Sequence, residues 1–381
     1  MLIRPLNQED MPQIVDLLAT RDELDREGAE RRAGIMEWIA FNNPFAEKGQ
    51  ATYYVAEDNG RVVAIHGRMP IDFSVKGESR RGYYVHDLYV HREYRERGQG
   101  FWLTMALAKA IEKETDSFVC LFGMTPLNVE MQRRRKYHEM VFDAYVKVLR
   151  PEEALSRYVR TAVIAGVLQP LVYLGLRLAD FFLLPRADKT LSVVQIKRFD
   201  AGFDELFKRI APALGICTMK TSGYLNWKYG DGPSRKDVVF AVMHGTEMRG
   251  FVVTGFAPGR GFPVGIIKDI VADPEDHRVV FRLALAGIRH LEDQGVCSIR
   301  CVVSDPRFAK ILRRLLFFRM KDHEMIFLGN IDKSPVNAEL LCDIRNWHIT
   351  LGESDIFMLS GGVPPVQDDD GILRIRHDQS C

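Results

Sequence analysis

The same order of patterned segments occurs twice in this sequence. Residues 1–21 read as a short strand, Met1 to Arg4, then an amphipathic helix, MPQIVDLLA, with Asn7 and Asp10 marking its start. A polar helical stretch leads to MEWIAFNNP and stops at Pro44. ATYYVAEDNGRVVAIHGRMPIDFSV alternates on either side of Asp58-Asn59-Gly60, which is a hairpin signal. A strand (GYYVHDLYV), a charged loop, a helix (FWLTMALAKAIEKE) and an apolar strand (SFVCLFGM) follow. From residue 195 the order returns as QIKRFDAGFDELFKRI, LNWKYGDGP, a hairpin turning at Gly245-Thr246, IIKDIVADPEDHRVVFRLALAGIRHLEDQG and SIRCVVS.

Such a repeat predicts one α/β (α+β) fold used in two tandem domains, each a mixed, mainly antiparallel twisted sheet flanked by helices. The first would span 1–150 and the second 194–330, with a helical, apolar connector at 151–193 and a tail at 331–381. A length of 381 residues suits two such domains. Within the connector, Thr161 to Leu176 carries no charge but is shorter than the ~20 residues of a spanning helix. Arg157, Arg160 and Arg177 flank it. The stretch through 157–186 therefore reads either as a helix packed between domains or as a peripheral membrane contact. MLIRPLNQEDM has no long apolar core of a secretory signal, so a cytoplasmic location, with or without membrane association, is expected. With 52 basic and 51 acidic side chains the net charge is +1, and nothing draws the molecule as a whole toward nucleic acid. The six cysteines are scattered in neither metal-binding nor redox spacing, so no metal is expected. Oligomeric state is not legible.

Between the strand and the helix of the first copy lies VHREYRERGQG, Val90 to Gly100. A loop opening into a helix presents amides without intrahelical partners at the positive end of the helix dipole, a ready site for a phosphate. Gly98 and Gly100 remove the Cβ from a close backbone approach, and Arg95 and Arg97 add charge. The spacing is neither that of a dinucleotide fingerprint nor that of a P-loop.

The run HDLYVHREYRERGQG resembles the strand-to-loop passage of the GCN5-related N-acetyltransferases, whose R/Q-x-x-G-x-G/A signature grips the pyrophosphate of coenzyme A. The resemblance covers 1–150 well and 195–330 only as a degenerate second, GNAT-like copy, because DPEDHRVVFRLA has no glycine signature. It implies acetyl-CoA as cofactor and an amine or amino-sugar acceptor. Leu88, Tyr89 and Val90 would then offer main-chain bonds to the pantetheine arm, with Arg95, Arg97, Gly98, Gln99 and Gly100 holding the pyrophosphate through amides and charge. Asn128 would open the next helix beside the cofactor, and Tyr137 is the nearest candidate for the acid that protonates the thiolate. The family's usual tyrosine position is taken by Arg135. The base would come from His86 or Asp87. Strand alternation sends these two side chains to opposite faces, so one of them is expected to face the cleft.

Two other readings share these residues. One is a non-catalytic, coenzyme-A-binding regulatory protein. The other is a tandem Fem-like or acyl-carrier-dependent acyltransferase acting on an envelope precursor.

Overall fold

The structure, a computed structural model, describes residues 1–20, 24–122, 125–150, 170, 172–175, 190–233, 237–257 and 263–353. Apart from 170 and 172–175, the expected membrane contact through 157–186 lies outside these residues, as does the tail beyond Glu353. No helix among the described residues is long and apolar enough to cross a membrane.

The first half runs β1 (Leu2–Pro5), α1 (Met11–Ala19), α2 (Arg26–Asn42), β2 (Tyr53–Asp58), β3 (Arg61–Val75), β4 (Glu78–Val90), α3 (Arg92–Glu96), α4 (Gly100–Glu114), β5 (Val119–Phe122), α5 (Pro126–Arg134) and β6 (His138–Val148). The second half runs β7 (Leu191–Ile196), α6 (Ala201–Leu214), the short β8 (Ile216–Thr218), β9 (Val238–His244), β10 (Glu247–Ala257), β11 (Val264–Ala272), α7 (His277–Asp293), β12 (Ser298–Val302), α8 (Pro306–Arg314) and β13 (Phe318–Gly329). Local chemistry sets these bounds. In α1, Ile14, Leu17 and Leu18 form one buried stripe at helical spacing. Asp25 caps α2 by accepting from the Gly28 amide at 2.7 Å, and the helix gives way to extended backbone at Asn43, directly before Pro44. Between β2 and β3, Asn59 and Gly60 both have positive φ, as a two-residue hairpin turn requires.

The strands form one sheet in the order β1-β2-β3-β4-β5-β13-β6-β12-β11-β10-β9-β7. Read outward from the central pair β13–β6, the two sides present equivalent strands. The last strand of each half has crossed over: β13 pairs with β5, and β6 pairs with β12. The sheets expected of the two halves are thus joined edge to edge into one. Alternation fixes which face of a strand is buried, and it leaves the partner strand open.

The halves also meet elsewhere. Trp38 Nε1 donates to the Trp227 carbonyl at 3.2 Å, and Trp227 is itself buried. β8 extends the sheet locally by pairing with β3.

Candidate active site

The site begins with an irregularity in β4. Pairing with β3 is regular up to Gly67↔His86 and resumes at Ile65↔Tyr89, one residue out of step. Asp87 is the extra residue, and its φ of +51° lies in the left-handed region. The bulge turns the Asp87 side chain to the face that His86 already occupies. Alternation had placed them on opposite faces; instead His86 Nδ1 donates to Asp87 Oδ2 at 3.0 Å and both side chains are buried. Tyr53 of β2 donates its hydroxyl to the same oxygen at 2.8 Å. Arg32 of α2 comes within 3.4 Å of Asp87 Oδ1 and lies 5.0 Å from the Tyr89 ring centroid. Burial alone would raise the Asp87 pKa. The hydrogen bond and charge of His86, the Arg32 charge and the Tyr53 hydroxyl outweigh it and hold the carboxyl well below the usual range.

Gly67 makes room for the imidazole: a Cβ there would stand 2.8 Å from both Cε1 and Nε2 of His86. Gly67→Val should therefore destabilise the protein by about 1–3 kcal/mol through overpacking. It should also cut turnover more than the stability loss explains, which is checked by comparing thermal unfolding with rate.

On the other face, His66 Nδ1 donates to the His86 carbonyl at 3.0 Å and pins the bulge. Burial pushes its pKa down to about 4. Since an unfolded histidine titrates near ~6.5, the unfolded chain binds the extra proton first as pH falls. The contribution of His66 is thus fully present above ~6.5 and is lost toward pH 4, a total of about 3 kcal/mol. Urea unfolding between pH 7.5 and pH 4.5 should show that loss, and His66→Gln should flatten it.

Among the described residues, β4 and β5 pair only through Tyr83↔Val119 and Tyr84↔Cys120. Among the described residues this pairing ends at Tyr84, before the bulge at Asp87, so Leu88, Tyr89 and Val90 lie along a gap with no β5 partner there. At the mouth of the gap the charged loop is more structured than its sequence suggested. Residues 92–96 form α3, capped by His91, and the amides of Arg97, Gly98 and Gln99 bond back to Glu93, Arg95 and Tyr94 at 3.1, 3.0 and 2.9 Å. Those three amides are therefore spent within the turn. By helix geometry the outward donors are those of the first turn of α4, from Gly100 to Trp102. Gly98 sits at φ +73° with nothing within 4 Å of where a Cβ would be, so the turn is open. Arg95 and Arg97 are exposed beside it, and Arg97 pairs with Glu93. The loop is fixed to the β2–β3 hairpin by Tyr94, which donates to Asp58 at 2.7 Å.

Coenzyme A fits this arrangement. The α4 amides and Arg95 and Arg97 would take its phosphates, and the free edge of β4 would take its extended arm.

The second half has a register shift at the corresponding place, between β10 and β11 at Lys268, but without the left-handed backbone of Asp87. Its gap is closed. β11 and β12 pair from Val264↔Ser298 to Ile267↔Cys301, right up to the bulge. Beyond that the segment Trp347–Glu353 fills the space: Thr350 bridges Val303, Ser304 N donates to the Ile349 carbonyl at 3.0 Å, and His348 Nε2 donates to the Ile270 carbonyl at 3.0 Å. Carboxylates stand where the first half has its glycine turn. Asp276 caps α7 at Val279, and Asp273 accepts from the Glu275 amide.

Buried charge anchors the filling segment. Lys220 bonds Asp269 at 2.8 Å and Glu353 at 2.6 Å. Burial opposes its charge, but the two carboxylates outweigh it and raise its pKa. Tyr84 of β4 donates to Glu353 at 2.9 Å, tying this segment to the strand that carries His86.

The remaining candidates are elsewhere. Asn128 lies half-buried in the first turn of α5, where its amide meets the Thr125 cap at 3.4 Å. Tyr137 is not brought to His86 and Asp87. Its hydroxyl donates to Glu112 at 3.0 Å and accepts from Arg135 at 2.7 Å, and burial pushes its pKa up. Arg32, Tyr53 and Gly67 escaped the sequence reading. Each lies in a segment whose pattern announces only a helix or a strand.

Residues 2–140 match the family model described as "Acetyltransferase (GNAT) domain". No curated protein sequence matches the chain. Among solved structures, a GCN5-related N-acetyltransferase from Anabaena variabilis superposes with a TM-score of 0.55 at 12% identity, over 87% of this chain and 72% of that one. The Saccharomyces cerevisiae N-myristoyltransferase with bound myristoyl-CoA gives 0.55 at 13% identity, over 91% and 83%. A GCN5-related N-acetyltransferase from Kribbella flavida gives 0.51 at 14%, over 86% and 70%. At these identities the likeness is one of fold, whereas the family match rests on sequence. Residues 2–140 thus match a GNAT acetyltransferase domain in sequence, and the chain as a whole shares the fold of these GCN5-related N-acetyltransferase structures.

Proposed function

We propose that the protein transfers an acetyl group from acetyl-CoA to a small primary amine, amino sugars included, at a single site in its first half. One observation carries this reading: β4 leaves β5 just before the bulge that joins His86 to Asp87, below an open glycine turn at the start of α4. Bound acetyl-CoA would supply an activated acyl carbon and release coenzyme A as a thiol. His86 takes a proton from the acceptor ammonium, whose solution pKa of ~10 keeps it unreactive at neutral pH. Asp87 fixes the imidazole through Nδ1, so that Nε2 is the basic nitrogen, and it stabilises the imidazolium once formed. Arg32 and Tyr53 keep Asp87 ionised and oriented. The Val90 amide is the proposed donor to the thioester oxygen.

The closed gap of the second half supports a single site. A thiol-release assay on a panel of amines tests the proposal, with steady coenzyme A production expected for at least one acceptor. Binding without turnover on every amine would favour the regulatory reading instead.

A further inference from the structure

The gap between β4 and β5 narrows to a crevice lined by His66, Val85, Ala108, Val119, Leu121 and Tyr137. Val85 and Leu121 are the first residues beyond the last paired positions of the two strands. Tyr137 closes the crevice from the α4 side and is held at three points. Its ring lies against Gly329 of β13, where a Cβ would stand 2.2 Å from Cζ of the ring. Its hydroxyl joins Glu112 and Arg135. The Arg135 guanidinium stacks 4.4 Å from the ring centroid and pairs with Glu112. A ring fixed by backbone contact, hydrogen bonds and a stacked cation does not swing aside for a guest.

We propose that Tyr137, with Val85 and Leu121 beside it, is the floor of the acyl site and restricts the donor to short acyl groups. The inference rests on the acyl-CoA reading and gives Tyr137 a role other than that of an acid. An acyl group carried at the level of the bulge and pointing along the gap soon meets an obstacle. Tyr84 lies three residues before Asp87, which is about 10 Å of strand, and there β4 and β5 are again hydrogen-bonded. On one face of that apex stand Tyr84, Cys120 and Phe122, all in the main core; on the other stands Tyr137. The crevice leaves little space before the apex, so a short group is favoured there over a long chain.

The test measures binding as well as turnover. The full chain is titrated calorimetrically with non-transferable thioether analogues of acetyl-, hexanoyl- and tetradecanoyl-CoA. The wild type should bind the acetyl analogue at least tenfold more tightly than the tetradecanoyl one. Tyr137→Ala should shrink that ratio about tenfold while the acetyl analogue's Kd changes less than threefold. Leu121→Ala opens the same crevice with a smaller cut and should shift the ratio in the same direction, which covers the case in which Tyr137→Ala does not fold. Equal wild-type affinity for the short and long analogues would overturn the inference and leave the donor reading standing. No binding by any analogue would overturn the donor reading, and this inference with it.

Discussion

His86→Gln is expected to lower kcat by about 10²–10⁴, the range over which a positioned proton acceptor contributes. The glutamine amide can still donate to Asp87 Oδ2, so the bulge and the Tyr53 contact should survive the change. Affinity for coenzyme A and the unfolding midpoint should therefore move little. Asp87→Asn should also lower kcat, because an amide in place of the carboxylate no longer fixes the Nδ1–H tautomer or stabilises the imidazolium. Turnover with the preferred amine at saturating donor is the measurement. An unchanged kcat in His86→Gln would remove His86 from the chemistry.

Gly98→Glu should weaken coenzyme A binding at least a hundredfold. Two effects act together. The position has φ +73°, a conformation that costs an L residue roughly 1–2 kcal/mol. The new carboxylate also stands at the helix start that would receive the phosphates, where a like charge repels them. Because nothing lies within 4 Å of the missing Cβ, the side chain meets no steric block from the protein itself. Folding should thus be preserved, and the loss should appear in the thermal shift given by coenzyme A rather than in the unliganded melting point.

The legible and illegible parts of this fold divide along a physical line. Hairpins, helix starts and the glycine turn are local, and Asn59-Gly60, Asp25 and Gly98 announce them within a few residues. The crossing of β6 and β13 is not local. Each strand alternates properly, and alternation is equally satisfied by either neighbour. The bulge at Asp87 escaped for a related reason. His86-Asp87 sits inside an apparently regular strand, where period-2 spacing separates the two side chains, and only the left-handed backbone at Asp87 reunites them. Arg32 and Tyr53 reach the site from α2 and β2 across the core, and neither has a distinguishing neighbour in sequence. The segment Trp347–Glu353 lies within the stretch expected as a tail, 331–381, yet it occupies the second half's gap through Thr350, His348 and the buried Lys220–Glu353 pair. No short-range pattern marks a segment that fills a gap between strands.

The central claim is that one open gap, below the turn at Gly98, holds coenzyme A while its counterpart in the second half is filled by the chain itself. Calorimetric titration of the full chain with coenzyme A tests this most directly. A single site per chain, abolished by Gly98→Glu, is the predicted result. No heat of binding, two equivalent sites, or one site indifferent to Gly98→Glu would contradict it.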